Sequence, residues 1–561
     1  LWNGTGWDRF RDPREVRVAW REQEVPSLLA WAEAEADRGL TLVGYLVYEA
    51  APAFDPSLPV REGNGRLPLA VFACFHAPEL ATGPAGPGVE LAWHGELDCD
   101  SYADRVRRIR KWIGAGDIYQ ANFSMRFRAN AKGDPQEVFA ALCRGDRLPH
   151  AAYLDLGRHV FASGSPELFF ELEGDRIRSR PMKGTWPRGR HPAEDVRHAA
   201  ALSESPKNRA ENLMITDMVR NDLGRIARTG SVQVDDLFAI ERYATVHQMT
   251  STVTARTDAP LLELFRALFP AASITGAPKR RAMQIIAETE ASPRGIYTGC
   301  IGTIGPGRRA RFSVAIRTAW LDQASGIWEY GTGSGIVWDS VPDQEYAECL
   351  SKMAGLRPRP EFSLFETILH VPGEPGLAER HFARMMSSAR HFGFEADGTA
   401  LAHLWERETR DRPQGAARVQ LDRDGKVEIR WSERRFWPEP VRIGLAKTPV
   451  DSRDPLLFHK TTRRHIYARA AAECPGCDEV LLVNEGGFLT EGTRSNLALR
   501  IKGRLLTPPL DHGLLPGILR QKLLEEGVLT EAPVRPEDLQ CAEEVWVFNA
   551  LRGVGKAAST G

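Results

Sequence analysis

The 561-residue chain lacks an apolar run long enough to span a bilayer, so no membrane-crossing helix is expected. It also lacks a dominant charge. Lys and Arg number 73 against 74 Asp and Glu, and a formal net charge of -1 provides no global positive field for nucleic acid. Eight cysteines are too few at this length to form a disulfide scaffold. Only Cys474-Pro475-Gly476-Cys477 has C-x-x-C spacing, and no second pair stands at zinc-site distance. These two thiols are expected in a loop before a strand. The first residues, Leu1-Trp2-Asn3-Gly4, have neither the basic start nor the apolar core of a signal peptide. A cytoplasmic location is therefore expected. No short-period repeat of the solenoid kind is present.

What is present is ordinary for a soluble globular protein: 42% hydrophobic and 26% charged residues. The length exceeds one ordinary core, so two or more domains are expected. Composition divides the chain into residues 1–98, a mixed region 99–356, a linker 357–361 at Arg357-Pro358-Arg359-Pro360, and residues 362–561. Thr41 to Tyr48 reads as a strand. One helix is expected from Ser205-Pro206, where Ser can cap and Pro suits the first turn. Its apolar positions Ala210, Leu213, Met214 and Met218 fit helical spacing. A second helix is expected from Pro342-Asp343, turning Tyr346, Cys349, Leu350 and Met353 inward. It presents Glu345 and Glu348 on one side, while the first presents Glu211. Carboxylates drawn from two helices suit Mg²⁺, although spacing alone equally describes solvated helix faces.

The most specific stretch is Arg180-Pro181-Met182-Lys183-Gly184-Thr185-Trp186-Pro187-Arg188-Gly189. It resembles a segment of the chorismate-utilising enzymes, in the aminodeoxychorismate synthase component I branch. The resemblance extends through Gly116–Ser124, Ser165–Phe169, Ser205–Arg225, Ser273–Lys279, Arg294–Gly299, Val314–Thr318, Gly333–Val337 and Gln344–Lys352, in the family's order. It implies that Glu211 and Glu348, with Glu345 in support, hold Mg²⁺ for the ring carboxylate of chorismate. It assigns Thr275, Gly276, Tyr297 and Arg317 to the enolpyruvyl carboxylate, which an arginine fork matches bidentately. Gly333, Ser334, Gly335 and Lys352 are further substrate contacts. Glu167 is the implied general acid, and His247 is an implied active-site residue. Lys183 is the implied nucleophile at C2 of chorismate; related anthranilate synthases carry a small residue there. A lysine near pKa ~10.4 must be partly neutralised to attack. Asn208 and Trp186 depart from the family's usual acidic residue and arginine. Gly299-Cys300-Ile301-Gly302 superficially resembles a nucleophile elbow, but its place inside a family motif makes Cys300 structural. Ammonia is then expected from a separate glutamine amidotransferase subunit.

Residues 362–554 carry a second series. Phe362–Leu369, Leu377–Arg384, Phe458–Arg463, Asn484–Glu491, Ser495-Asn496 and Gly513–Arg520 resemble the class IV pyridoxal-phosphate enzymes. The resemblance makes Lys460 the Schiff-base lysine and Glu491 the partner of the cofactor's ring nitrogen. Ser495 and Asn496 meet the pyridine. Arg384, Gly517 and Ile518 face the phosphate, the last two at a helix start whose free N–H groups suit an anion. Leu519 and Ala550 replace hydroxyl residues common in that family.

The implied fold is α+β: a chorismate-binding β-sandwich with flanking helices, then a two-lobed class IV aminotransferase-like α+β fold. The implied activity joins aminodeoxychorismate synthesis to aminodeoxychorismate lyase chemistry, yielding 4-aminobenzoate for folate. A homodimer through the C-terminal half is expected. Two alternatives stand beside this reading. One is anthranilate or isochorismate chemistry joined to an aminotransferase. The other is a degenerate subunit that binds chorismate or tryptophan.

Overall fold

The computed structural model describes every residue except 64, 85, 87, 144–147, 357–360, 374–375 and 560–561. The expected linker at 357–361 thus lies almost wholly outside the described residues. Two compact units are formed. The first comprises residues 1–186 and 200–359; the second comprises residues 187–199 and 360–561. The expected division at residue 98 separates no compact unit. Strands Glu15–Ala19, Thr41–Leu46 and Ala70–Phe75 continue the same ten-stranded sheet as strands from residues 168 to 314.

The first unit stacks that sheet on a seven-stranded one. In the larger sheet, Met182–Pro187 lies at one end, beside Val246–Arg256, and Glu15–Ala19 at the other. In the smaller sheet, Gln120–Asn130 pairs antiparallel with Ile327–Ile336. Val43, Tyr45 and Val71 from the larger sheet pack with Ala152, Phe161 and Trp320 from the smaller. The rings of Tyr45 and Phe161 lie 4.8 Å apart. This is the expected sandwich. Helices cover both outer faces: Glu24–Asp37 and Leu261–Leu268 bury their apolar stripes on the larger sheet, and Cys99–Gly114 and Pro135–Cys143 do so on the smaller.

Both expected helices form, as Pro206–Gly224 and Pro342–Lys352. Ser205 caps the first, accepting from the Asn208 N–H. Its inward face, however, is not the one its large apolar residues mark. Asn212, Ile215, Thr216, Val219, Asp222 and Leu223 are buried, while Leu213 is 51% exposed. The reason is polar. Asn212 Nδ2 donates to the carbonyls of Lys183 (3.1 Å) and Met249 (3.3 Å), and its Oδ1 accepts from Ser251 at 2.5 Å. In the second helix Cys349 is buried as expected, but Leu350 is 43% exposed.

The second unit has two lobes, as expected. Strands Leu364–His370, Gly415–Leu421 and Val427–Ser432 form a small sheet against helices Ala378–Phe392 and Gly398–Thr409. An eight-stranded mixed sheet forms the other lobe. Cys474 and Cys477 lie as thiols, not as a disulfide, in the turn before strand Glu479–Val483. Among the described residues no helix is long and apolar enough to cross a membrane.

A buried charge cluster ties the first unit together. Arg294 donates to Glu290 (2.7 Å) and to the carbonyls of Ile274 (2.8 Å) and Asn122 (2.7 Å). Glu290 also accepts from the Ser124 hydroxyl (2.6 Å) and from Arg126 (3.3 Å). Burial pushes the Glu290 carboxyl up, but Arg294 and Arg126 outweigh it and hold it below the usual range. Removing one member of such a cluster strands the others. Arg294→Ala is expected to destabilise the first unit by about 3–5 kcal/mol, measured by denaturant unfolding. A loss below about 1 kcal/mol, the range of an exposed pair, contradicts this role.

Candidate active sites

The first unit holds a cavity of about 430 Å³. Strand Met182–Pro187 brings Lys183 into its wall, and Ile327–Ile336 brings Gly333, Ser334 and Gly335. Glu167, Glu211, Tyr297, Arg317, Glu345, Glu348 and Lys352 complete the expected residues that line it. Thr275, Gly276 and His247 do not. Thr275 and His247 are buried outside the lining. Gly276 serves a close approach instead: a Cβ there would stand 2.2 Å from the Gln120 carbonyl oxygen.

Lys183 keeps some accessible surface because the cavity admits water, yet protein surrounds its amine. A Cβ on Gly335 would lie 2.5 Å from its Nζ, so a side chain there would push the amine from its place. Burial lowers the pKa of Lys183, against the raising influence of Glu211, Glu348 and Glu167; Lys352 lowers it further. Asn212 holds the Lys183 carbonyl and Gln248 Nε2 that of Gly184 at 2.9 Å. These two amides fix the lysine's strand, and apolar periodicity could not reveal them.

Glu167 is 4% exposed. Burial raises its carboxyl to about 7, against a 2.5 Å hydrogen bond from the Ser273 hydroxyl and the charge of Lys183. It can therefore hold a proton near neutral pH. Ser273 lies in the Ser273–Lys279 motif, which marked the segment but not this partner. Arg317 adopts φ +49°, a left-handed conformation that costs a non-glycine residue energy and that recurs at functional sites.

The carboxylates share the cavity but are not gathered into a metal centre. Among the described residues no three metal-ligating side chains converge. Lys352 binds Glu348 Oε1 at 2.7 Å and the Gly333 carbonyl at 2.6 Å. Burial pushes the Glu348 carboxyl up, but Lys352, then Lys183 and Lys207, bring it below the usual range. Burial raises Glu211. The carboxylates of Glu211, Glu345 and Glu348 all line the cavity and are the kind of oxygen donor that Mg²⁺ takes. Asn208 also lines the cavity and donates to Ser205 Oγ at 2.9 Å.

The second unit holds a cavity of about 300 Å³, lined by Arg384, Lys460, Glu491, Ser495, Asn496, Gly517 and Ile518. Burial, then Arg384, lowers the Lys460 amine to about 8. Burial raises Glu491 to about 7, and the Tyr467 hydroxyl donates to it at 2.8 Å. Three observations fit pyridoxal phosphate. Among the described residues the Ser495 hydroxyl is buried with no hydrogen-bond partner. A Cβ on Gly517 would stand 1.9 Å from Asn496 Oδ1, so the helix start has no room for a side chain beside Asn496. Gly517 is also the N-cap of helix Ile518–Glu525. Arg384 differs from expectation, because its fork grips Glu366 at 2.8 and 2.6 Å and it donates to the Pro516 carbonyl at 2.8 Å. The Glu366 anchor was not read from sequence. Leu519 turns toward the apolar cluster of Ala498, Leu529 and Phe548. Cys300 is buried and its thiol is raised by that burial, the opposite of an activated nucleophile.

Comparison with known proteins gives a family match for each of the two segments. Residues 7–358 match the family described as chorismate binding enzyme, and residues 363–560 match amino-transferase class IV. Aminodeoxychorismate synthase component 1 of Salmonella typhimurium is 43% identical over 264 residues, covering 47% of this chain and 58% of that protein. Anthranilate synthase component 1 1 of Haloarcula marismortui is 43% identical over 261 residues, covering 46% and 53%. The chain thus spans little more than half the length of these curated relatives. The crystal structure of anthranilate synthase component I from Streptococcus pneumoniae shares the fold with TM-score 0.53 and 24% identity, covering 59% of this chain and 85% of that one. The chain belongs to the chorismate binding enzyme family and carries an amino-transferase class IV segment after it.

Proposed function

We propose that the chain makes 4-aminobenzoate in two steps: it converts chorismate and ammonia to 4-amino-4-deoxychorismate, then eliminates pyruvate. The observation that carries the first step is Lys183, a desolvated amine in the same cavity as a carboxyl able to stay protonated near pH 7. Neutral Lys183 adds at C2 of chorismate as both ring double bonds shift, C1=C2 to C1=C6 and C5=C6 to C4=C5, and the C4 hydroxyl leaves. Glu167 gives that hydroxyl a proton, so water departs. Ammonia then adds at C4, both double bonds shift back, and the lysine amine is expelled from C2. Arg317 and Tyr297 orient the enolpyruvyl carboxylate. Glu211, Glu345 and Glu348 would hold Mg²⁺, which supplies positive charge for the ring carboxylate. The ammonia comes from a separate glutamine amidotransferase subunit.

In the second unit, Lys460, Glu491, Ser495, Asn496 and Gly517 would hold pyridoxal phosphate, which supplies an electron sink when bound. Lys460, lowered to about 8, moves protons between substrate carbons. Glu491 orients the ring nitrogen while Tyr467 fixes the carboxylate. Loss of a ring proton and of pyruvate leaves the aromatic ring of 4-aminobenzoate. Relatives of both the aminodeoxychorismate and anthranilate kinds match the first unit, and Lys183 favours the former.

Incubation with chorismate, ammonia, Mg²⁺ and pyridoxal phosphate is expected to give 4-aminobenzoate by mass spectrometry, and 4-amino-4-deoxychorismate when the pyridoxal phosphate is omitted. Anthranilate as the product would sink the first assignment. Gly335→Ala, which places a methyl against Lys183 Nζ, is expected to slow chorismate consumption by roughly 100-fold. A rate within about twofold of wild type contradicts that packing. The active form needs Lys183 neutral and Glu167 protonated, the minor tautomer while the lysine pKa lies above that of Glu167. kcat/KM for the first step should therefore rise to a plateau near pH 7 and fall again at the lowered lysine pKa, short of 10.5. A flat profile between about pH 6 and 10 contradicts these roles. Gly517→Ala is expected to weaken pyridoxal phosphate retention by about tenfold, read by equilibrium dialysis; unchanged retention contradicts a phosphate site at this helix start.

A further inference from the structure

Pro187–Ala199 comes from the middle of the chain, yet it belongs to the unit formed by residues 360–561. Its anchors are polar and at least partly buried. Arg188 forks onto Asp195, Nε to Oδ1 at 2.6 Å and Nη2 to Oδ2 at 2.9 Å, and Nη2 also donates to the His391 carbonyl at 3.2 Å. The Gly189 N–H donates to the same carboxylate at 2.9 Å. Arg190 donates to the carbonyls of Ser452 (3.2 Å) and Asp511 (3.1 Å), and its guanidinium lies over the Phe458 ring at 5.2 Å.

The seat reaches the second catalytic lysine through one residue. Burial lowers the His459 imidazole to about 3, so the ring is neutral. Its Nε2 lies 3.2 Å from the Arg190 carbonyl, which can only accept. Nε2 therefore carries the proton, and Nδ1 accepts from the Ser388 hydroxyl at 2.8 Å. The next residue is Lys460. Ser388 stands one turn from Arg384 on helix Ala378–Phe392.

We propose that Arg188 and Arg190 are positioning residues for Lys460: they seat a segment whose Arg190 carbonyl holds the lysine's neighbour His459 through Nε2. The proposal rests on the assignment of that lysine under Proposed function.

The test compares the full-length holoenzyme with Arg188→Ala and Arg190→Ala, using Arg453→Ala, an exposed arginine paired with Asp451, as control. Hydrogen–deuterium exchange is read over residues 456–462, and the visible absorbance of bound pyridoxal phosphate is titrated with pH. Both seat variants are expected to exchange faster over that segment, and the absorbance midpoint should move by about half a pH unit. The control should match wild type. Unchanged exchange, or an unmoved midpoint, would overturn the proposal. Should Arg188→Ala lose its native circular dichroism, Arg190→Ala carries the same comparison. Should wild type show no cofactor band, the functional reading fails, and the exchange data still decide the positioning claim.

Discussion

Removing an amine from water penalises its charged form, and the chemistry proposed for the first site depends on that penalty at Lys183. The balance is narrow. Burial lowers the lysine's pKa while Glu211, Glu348 and Glu167 act to raise it. Lys352 limits their effect by engaging Glu348. The same burial raises Glu167, so one physical cause leaves one group more ready to lose a proton and its neighbour more ready to keep one. The second unit repeats the pattern: Lys460 is lowered to about 8 and Glu491 raised to about 7 in one cavity. Such opposed pairs mark candidate sites when geometry supports them, and here each pair lines a single cavity.

These environments rest on backbone held by buried polar side chains. Asn212 and Gln248 fix the successive carbonyls of Lys183 and Gly184, and Gly335 leaves room for the amine. Deeper in the unit, Arg294 binds carbonyls of Ile274 and Asn122 while its charge is met by Glu290. An apolar core could not direct donors at individual carbonyls in this way. The first site is therefore positioned by hydrogen-bonding groups as much as by packing.

Much of this was legible in sequence. Motif order gave the α+β sandwich, the two-lobed second fold and most residues lining each cavity, because short glycine- and charge-bearing words survive where the backbone must approach a ligand. What sequence could not show depends on partners distant along the chain. Asn212 turns inward because carbonyls on two strands need donors, so helical periodicity pointed to Leu213 instead. Arg384 meets Glu366, a residue that reads as an ordinary strand position. Thr275, Gly276 and His247 sit in family motifs yet do not line the cavity, since adjacency along a motif does not specify which way a side chain turns. The assignment of residues 187–199 to the second unit has no local signal at all; it goes with arginine hydrogen bonds to backbone carbonyls hundreds of positions away.

The central claim is that Lys183 forms a covalent bond to the substrate. Incubating the protein with chorismate and Mg²⁺ in the absence of ammonia removes the group that would expel the lysine. After an acid quench, intact-protein and peptide mass spectrometry should show an added mass equal to chorismate less one water, located on Lys183. No adduct in a preparation that turns over chorismate once ammonia is supplied, or an adduct on a different residue, would contradict the account.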